Sequence, residues 1–182
     1  MSDQEPAERH LVLVGLMGSG KTTVGRRSAQ RLDRDFVDLD DLIMTHAAMS
    51  IEDIWRDRGE ERFRELEREV VVDVCASPVP LVIACGGGTV VDTENRRRLR
   101  EVGTVVWLRA RTAVLASRVG NDARRPLLAG DPAGALARLA EVRADAYAAA
   151  ADAVVDTDDR DVNAVTAAVL AVFEEKAFGE KP

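Results

Sequence analysis

The sequence predicts an α/β fold, a parallel sheet of five strands with helices on both faces. Two observations carry this prediction. Short apolar runs alternate with longer stretches of helical periodicity, and glycines and acidic residues cluster directly after the apolar runs. Alternation of this kind gives parallel pairing, and strands buried on both faces are almost entirely apolar. Because ligands of such sheets bind at the carboxyl ends of the strands, the clusters predict where the functional site lies.

The elements follow one another in a regular order. The runs predicted as strands are residues 11–14, 36–38, 81–85, 104–108 and 153–156. The stretches predicted as helices are residues 21–32, 42–48, 51–58, 60–75, 95–101, 112–119, 133–150 and 162–177. Ser50 and Asp53 resemble a capping box at the start of the third helix. Phe63, Leu66 and Val70 have the spacing of one buried helical face in the fourth.

The composition predicts a single acidic domain over residues 1–182, with polar tails at residues 1–10 and 173–182. Lys and Arg number 25 against 32 Asp and Glu, and the resulting charge of −7 argues against a general nucleic-acid binder. No apolar run approaches the ~20 residues of a membrane span, and the N-terminus is unlike a signal peptide. Cys75 and Cys85 lack a metal-ligand spacing. We therefore expect a cytoplasmic protein with reduced thiols and without nucleic-acid or membrane partners.

The stretch GLMGSGKT at residues 15–22 predicts a phosphate-binding loop. It fits G-x-x-x-x-G-K-[ST] and lies between a predicted strand and a predicted helix, as the motif requires. Glycines let the backbone wrap around phosphates, which the loop N–H groups and the helix N-terminus then bind. Lys21 supplies positive charge to the β- and γ-phosphates, and Thr22 offers a hydroxyl to Mg²⁺. The residues predicted to bind ATP here are Gly18, Ser19, Gly20, Lys21, Thr22 and Thr23.

Missing motifs favour a small kinase over other nucleotide-binding proteins. A GTPase would carry N-K-x-D, which the sequence lacks, and the D-x-x-G match at residues 131–134 opens a helix instead of following a strand. No strand after the loop ends in the apolar run plus acid that is usual in large ATPases. A short chain that begins with this loop fits a kinase of small molecules or nucleotides.

Paired acids and a charged helix predict part of the acceptor site. Asp38 and Asp40 are two residues apart at a strand end, so their side chains point to the same side of an extended chain. One carboxylate can organise hydrated Mg²⁺ while the other accepts a proton from an acceptor hydroxyl; acids at a helix start are the alternative. Arg64 and Glu67 lie at i, i+3 on one helical face, where a solvated charged surface is the alternative.

Two glycine-containing segments complete the acceptor prediction. Three glycines at residues 86–88 follow a strand directly and form a tight backbone surface that a flat ring or a carboxylate can approach. The segment at residues 121–130 combines charges with Pro and Gly between two helices. That composition predicts a mobile flap that excludes water and brings an arginine to the transferring phosphoryl group.

Together these motifs resemble the shikimate kinases. GLMGSGKTT, FVDLDDLI, SIEDIWRDRGEERFRELE, GGG, RRPLL and R-x-x-x-Y occur in that family's order and spacing, over about residues 11–172. The resemblance implies strand order 2-3-1-4-5, a substrate-binding region at about residues 39–68 and a lid at about residues 119–132. It implies that a monomer uses ATP and Mg²⁺ to convert shikimate to shikimate 3-phosphate, a step toward chorismate.

The resemblance also implies roles for single residues. Asp40 is similar to the base that holds the 3-hydroxyl, Thr22 to the direct Mg²⁺ ligand and Asp38 to its water-mediated partner. The catalytic residues it implies are Lys21, Asp40 and Arg125. The substrate ligands it implies are Asp40, Arg64, Gly86, Gly87, Gly88 and Arg143, with the two arginines around the carboxylate. The further nucleotide contacts it implies are Arg118 stacked on adenine, Arg125 from the lid and Arg160 from a loop at residues 156–161.

Two alternatives stay open at this point. The first is another small-molecule kinase, of the gluconate or nucleoside monophosphate type. The second is an ATP-binding domain that kept the phosphate loop and lost catalysis.

Overall fold

The computed structural model describes residues 9–119 and 131–178. The strands are β1 (His10–Val14), β2 (Asp35–Asp38), β3 (Leu81–Ala84), β4 (Gly103–Arg109) and β5 (Ala153–Asp156). The helices are α1 (Lys21–Leu32), α2 (Leu39–Ala47), α3 (Ile51–Cys75), α4 (Thr93–Val102), α5 (Thr112–Val119), α6 (Pro132–Ala150) and α7 (Val162–Phe178). A short 3₁₀ helix spans Thr89–Val91. Arg125, most of the predicted lid and the ends of both predicted tails lie outside the described residues.

The strands form one parallel sheet in the order β2-β3-β1-β4-β5, which confirms the predicted fold class and strand order. β1 is the central strand: Val12 is in register with Ile83 on one side and with Val105 on the other. All described pairings are parallel, so the carboxyl ends of the strands meet at one edge of the sheet. The loops that follow β1, β2 and β3 therefore start side by side.

Helices cover both faces of the sheet. Leu11 and Leu13 of β1 pack in a buried cluster with residues of α1 and α7. Val12 and Val14 point to the other face, where they pack with residues of α2 through α6. This alternation along a fully buried strand is why the sequence shows β1 as a continuous apolar run.

The structure corrects the predicted bounds of three helices. α2 begins at Leu39, not at residue 42, because Oδ1 of Asp38 caps it by accepting the N–H of Asp40 at 3.2 Å. The helices predicted at residues 51–58 and 60–75 are one helix, α3, interrupted at Gly59 with φ 80° and ψ 171°. α4 begins at Thr93 because Asp92 caps it in the same way. In the described parts of the chain, no helix combines the length and the apolar character that a membrane crossing needs.

Candidate active site

The phosphate-binding loop connects β1 to α1 at the carboxyl edge of the sheet. Gly18 and Gly20 have φ values of 81° and 97°, in the left-handed region that favours glycine. Lys21 donates hydrogen bonds from Nζ to the carbonyl oxygens of Gly15 at 2.9 Å and Leu16 at 3.1 Å. The loop thus needs glycine for its backbone conformation, and the ammonium group lies against the main chain of the loop.

Two features of this loop fit a bound phosphate. The hydroxyl oxygen of Ser19 is buried and has no hydrogen-bond partner among the described protein atoms. A phosphate oxygen would satisfy it, as buried polar atoms normally require. Gly20 is the N-cap of α1 and provides no side chain to cap it. The first N–H groups of α1 are therefore available to an anion.

Thr22 and Asp38 are in direct contact across the sheet edge. Thr22 Oγ1 donates to Asp38 Oδ2 at 2.8 Å, while the other oxygen of Asp38 caps α2. A hydroxyl in contact with a carboxylate is a suitable site for Mg²⁺, which would bind the hydroxyl oxygen directly and the carboxylate through a water molecule. Among residues 9–119 and 131–178, no group of three or more His, Cys, Asp or Glu residues is arranged to hold a metal. An ion here would take most of its ligands from phosphates and water.

The loop after β3 brings together the residues predicted for the acceptor. Residues 86–88 are glycines, and a Cβ on the first would lie 2.8 Å from Oδ1 of Asp40. A Cβ on the second would lie 3.1 Å from Nη1 of Arg143 and 3.8 Å from the carbonyl oxygen of Gly15. A Cβ on the third would lie 2.8 Å from Nη1 of Arg64. Side chains from α2, α6 and α3 therefore converge on three successive glycines beside the phosphate-binding loop.

Arg64 is oriented by a buried carboxylate and two aromatic rings. Its Nη1 donates to Oε2 of Glu67 at 2.8 Å, and its guanidinium carbon lies 5.2 Å from the ring centre of Phe63 and 5.9 Å from that of Trp55. Glu67 is only 1% exposed and accepts a second hydrogen bond from Thr89 Oγ1 at 2.7 Å. Glu67 thus connects α3 to the residue that follows the glycines, and its charge-assisted bond sets the direction of the guanidinium.

Arg143 and Tyr147 are one turn apart on α6, and both are buried. The Tyr147 hydroxyl donates to the carbonyl oxygen of Gly87 at 2.6 Å, and its ring packs on Trp107 with centroids 5.4 Å apart. Burial raises the pKa of Tyr147 to about 12, a shift that Arg143 partly opposes. The phenol therefore stays protonated at neutral pH and remains a donor to the glycine loop.

Arg118 connects the two ends of the predicted nucleotide site. Its Nη1 donates to Oγ1 of Thr157 at 2.9 Å and to the carbonyl oxygen of Gly18 at 3.4 Å, and its Nη2 donates to the Thr157 carbonyl at 2.7 Å. Arg160 donates to two main-chain carbonyl oxygens, those of Asp156 and Ala164, at 3.3 and 3.2 Å. The loop after β5 and the phosphate-binding loop are thus joined by one guanidinium group.

A family model described as shikimate kinase matches residues 17–174 of this chain. The chain belongs to the shikimate kinase family. The shikimate kinase of Symbiobacterium thermophilum is 46% identical to it over 170 residues, which cover 92% of this chain and 97% of the relative.

Solved structures agree with this family assignment. The shikimate kinase of Acinetobacter baumannii in complex with shikimate has a TM-score of 0.89 at 31% identity, over 94% of this chain and 96% of that one. A gluconokinase from Sinorhizobium meliloti has a TM-score of 0.61 at 18% identity, over 97% of each chain. At this identity, the gluconokinase is similar to this chain in fold alone.

Three residues of this shikimate kinase family member were not assigned a role from the sequence: Glu67, Thr89 and Tyr147. The spacing Arg-x-x-Glu in α3 did signal Glu67 as a neighbour of Arg64, and the spacing Arg-x-x-x-Tyr in α6 places Tyr147 one turn from Arg143. No local pattern could signal Thr89, because its partner Glu67 lies 22 residues away along the chain.

Proposed function

We propose that this chain is an ATP-dependent phosphotransferase that transfers the γ-phosphoryl group of ATP to the 3-hydroxyl of shikimate. The product, shikimate 3-phosphate, leads toward chorismate. The single observation that supports this best is the convergence of Asp40, Arg64 and Arg143 on the glycines beside the phosphate-binding loop. An acidic side chain suits a hydroxyl and a guanidinium group suits a carboxylate, so this set of partners fits a ring that carries both groups.

On the donor side, residues 18–23 hold the phosphates of ATP through main-chain N–H groups, the Ser19 hydroxyl and Lys21. The ammonium group of Lys21 already lies in the loop, 2.9 Å from the Gly15 carbonyl oxygen, so it meets a bound phosphate without a large movement. Arg118 and Arg160 are the proposed adenine contacts, and Arg125, outside the described residues, is the further proposed phosphate contact. With these assignments, the positive groups accelerate the reaction by neutralising the negative charge of the transferring phosphoryl group.

Mg²⁺ is proposed to bind Thr22 directly and Asp38 through a water molecule. When bound, the ion neutralises negative charge that develops on the phosphate oxygens during transfer. The 2.8 Å contact between Thr22 and Asp38 supports this assignment, because both oxygens lie within reach of one small hydrated cation.

On the acceptor side, Asp40 takes the proton of the 3-hydroxyl as that oxygen attacks phosphorus. Arg64 and Arg143 bind the carboxylate of shikimate, and residues 86–88 offer main-chain N–H groups to its other hydroxyls. A guanidinium group forms two parallel hydrogen bonds with a carboxylate, which a lysine cannot do. Holding the hydroxyl in line with the phosphoryl group supplies much of the rate acceleration in such reactions.

Acceptor-dependent ADP formation tests the proposed function. The purified chain is assayed with ATP and Mg²⁺ and with shikimate, gluconate or a nucleoside monophosphate as acceptor, and Lys21→Ala gives the background. We expect turnover with shikimate alone. Turnover with gluconate or a nucleoside monophosphate would support another small-molecule kinase, and ATP binding without any acceptor-dependent turnover would support a catalytically silent domain.

We also propose that residues 1–182 form one kinase domain that acts as a monomer in the cytoplasm. Residues 39–68 would bind the acceptor and residues 119–132 would close over the nucleotide. Light scattering of the purified protein tests the oligomeric state: a mass near 19.8 kDa is expected, and twice that mass would contradict a monomer.

A further inference from the structure

The three glycines at residues 86–88 differ from those of the phosphate-binding loop. Gly18 and Gly20 have φ values in the left-handed region, where other residues are strained. None of the residues 86–88 has a φ in that region. An alanine can therefore adopt the backbone conformation of the run, and the conformation alone does not explain why glycine stands there.

The lack of room for a Cβ explains why the first and the last residue of the run are glycines. A Cβ on Gly86 would lie 2.8 Å from Oδ1 of Asp40, 3.1 Å from Oγ1 of Thr89 and 3.4 Å from Oε1 of Glu67. A Cβ on Gly88 would lie 2.8 and 3.1 Å from the two terminal nitrogens of Arg64. Real Cβ atoms essentially never approach a heavy atom within 3.0 Å, so an added methyl group has to displace something. The atoms within 3.0 Å of the added methyl groups are the tips of the Asp40 and Arg64 side chains.

The main chain of the run is fixed, so those side-chain tips are what will move. All three glycine carbonyl oxygens accept hydrogen bonds: that of Gly86 from the Thr89 N–H at 3.2 Å, and that of Gly88 from the Val91 N–H at 3.0 Å. The middle carbonyl accepts the bond from the Tyr147 hydroxyl at 2.6 Å. Moving the loop would break several of these bonds at once, whereas displacing one carboxylate or one guanidinium group disturbs a single side chain.

We propose that Gly86 and Gly88 are positioning residues with separate functions: Gly86 leaves room for the carboxylate of Asp40, and Gly88 leaves room for the guanidinium group of Arg64. This inference rests on the proposed function for the roles of the two displaced groups. A methyl group at residue 86 misplaces the base and lowers kcat. The same methyl group two residues later misplaces the carboxylate ligand and raises the KM for shikimate.

Two single alanine variants test this separation, and each is the control for the other because both carry the same change in the same loop. We expect Gly86→Ala to lower kcat about 100-fold, the cost of a displacement near 1 Å, and to change the shikimate KM less than Gly88→Ala does. We expect Gly88→Ala to raise the shikimate KM about tenfold or more, as loss of a charge-assisted hydrogen bond does. The KM for ATP should be unchanged in both.

Two comparison variants make the test sharper. Gly86→Ala should reproduce the kinetic profile of Asp40→Asn, and Gly88→Ala should reproduce that of Arg64→Lys. If both glycine variants show the same profile, or both behave as the wild type, the inference is wrong.

Crystal structures of the two variants test the inference without turnover. The expected result is an Asp40 carboxylate displaced in Gly86→Ala and an Arg64 guanidinium group displaced in Gly88→Ala, with the loop main chain unchanged. Unmoved side chains beside a shifted loop would overturn the inference. An inactive wild type would instead contradict the proposed function, while these structures still decide the role of the glycines.

Stability measurements cover the case in which Gly86→Ala folds poorly. The double variant Asp40→Ala/Gly86→Ala removes the carboxylate that the methyl group meets. We expect it to regain the melting temperature that the single variant loses, because the two sites are in contact and their effects are coupled. A double variant no more stable than Gly86→Ala would show that the methyl group meets something other than Asp40.

Discussion

At the scale of single residues, Tyr147 and Glu67 position groups that are proposed to bind the substrate, although neither is proposed to contact the substrate itself. Glu67 forms hydrogen bonds with Arg64 and Thr89, and Tyr147 donates to the main chain of Gly87. Because these bonds are buried or partly buried, solvent replaces a lost partner poorly. Substitutions at such residues should change substrate affinity more than folding.

Tyr147→Phe is expected to raise the shikimate KM about fivefold, the equivalent of about 1 kcal/mol for one buried hydrogen bond. The ring keeps its contact with Trp107, whereas the hydroxyl loses its hydrogen bond to Gly87 and its side-chain hydrogen bond with Arg143. Steady-state kinetics against both substrates measures this. Val142→Ala, at an exposed position of the same helix, is the control. An equal rise in the KM for ATP and for shikimate would contradict a specific effect on the acceptor loop.

Asp40→Asn is expected to lower kcat about 10²- to 10⁴-fold, because the amide keeps the shape of the side chain but cannot take a proton. Binding of a fluorescent ATP analogue should be unchanged. Near-normal turnover in this variant would remove Asp40 from the role of base.

At the scale of secondary structure, the interruption in α3 separates two parts of the acceptor site. Gly59 has φ 80° and ψ 171°, a conformation open to glycine and to few other residues. No atom lies within 4 Å of a Cβ built there, so glycine is required for its conformation and not for space. Trp55 precedes the interruption and Arg64 follows it, and the two side chains meet in a cation–π contact.

Gly59→Ala is expected to lower the free energy of unfolding by about 1–3 kcal/mol, the cost of a strained backbone conformation. It should also raise the shikimate KM, because the two arms of α3 change their relative direction. Urea denaturation and steady-state kinetics measure the two effects. Glu61→Ala, at an exposed position two residues later, should change neither.

His10 makes the pairing of β1 with β3 sensitive to pH. Its Nδ1 accepts a hydrogen bond from the Leu81 N–H at 2.9 Å, which a protonated imidazole cannot do at that atom. Burial lowers the pKa of His10 below its ordinary 6.5, and the nearby Arg34 and Arg9 lower it further. As the pH falls below 6.5, the unfolded chain takes up this proton before the folded chain does.

The free energy of unfolding is therefore expected to decrease as the pH falls from about 7.5 through 6.5, where the unfolded chain takes up this proton, and to go on decreasing until the folded chain takes it up as well. Urea denaturation at several pH values measures it. His10→Asn keeps an acceptor that does not titrate and should show a weaker dependence. His46→Asn, at an exposed position, should behave as the wild type; a wild-type slope in His10→Asn would show that other groups cause the effect.

Sequence patterns predicted the elements that depend on residues close to one another along the chain. The five strands are apolar runs, and the phosphate-binding loop follows a fixed spacing that its backbone conformation requires. The start of α2 was missed because Asp38 ends a strand, caps a helix and contacts Thr22 at once. The bond between Tyr147 and Gly87 joins residues 60 positions apart, and no periodicity contains such information. The candidate site residues could be predicted from their motifs, but the contacts that hold them could not.

At the scale of the whole molecule, the residues proposed for the donor and acceptor sites come from both halves of the chain and meet at one edge of the sheet. Residues 18–23, proposed for the donor side, follow β1, and side chains of α2, α3 and α6 surround the glycines after β3. Arg118 ties the phosphate-binding loop to the residue after β5. A ligand at this edge therefore contacts several elements at once, and its binding should stabilise the whole domain.

ADP with Mg²⁺ at 100 times its Kd is expected to raise the free energy of unfolding by about 2.7 kcal/mol. Urea denaturation with and without the nucleotide measures this gain. Lys21→Ala should lose most of the gain at the same ligand concentration. Equal gains in both proteins would show that the nucleotide is not bound at this loop.

The central position of β1 has a consequence for how the protein is made. It is the first of the described strands to leave the ribosome, yet its partner β3 follows about 70 residues later, as the 71-residue separation of His10 and Leu81 indicates. At 5–20 residues per second, that interval is on the order of 4–14 s. Throughout it, the apolar core of the future sheet has no partner strand. A chaperone that holds extended apolar segments would find its target in β1 during this interval.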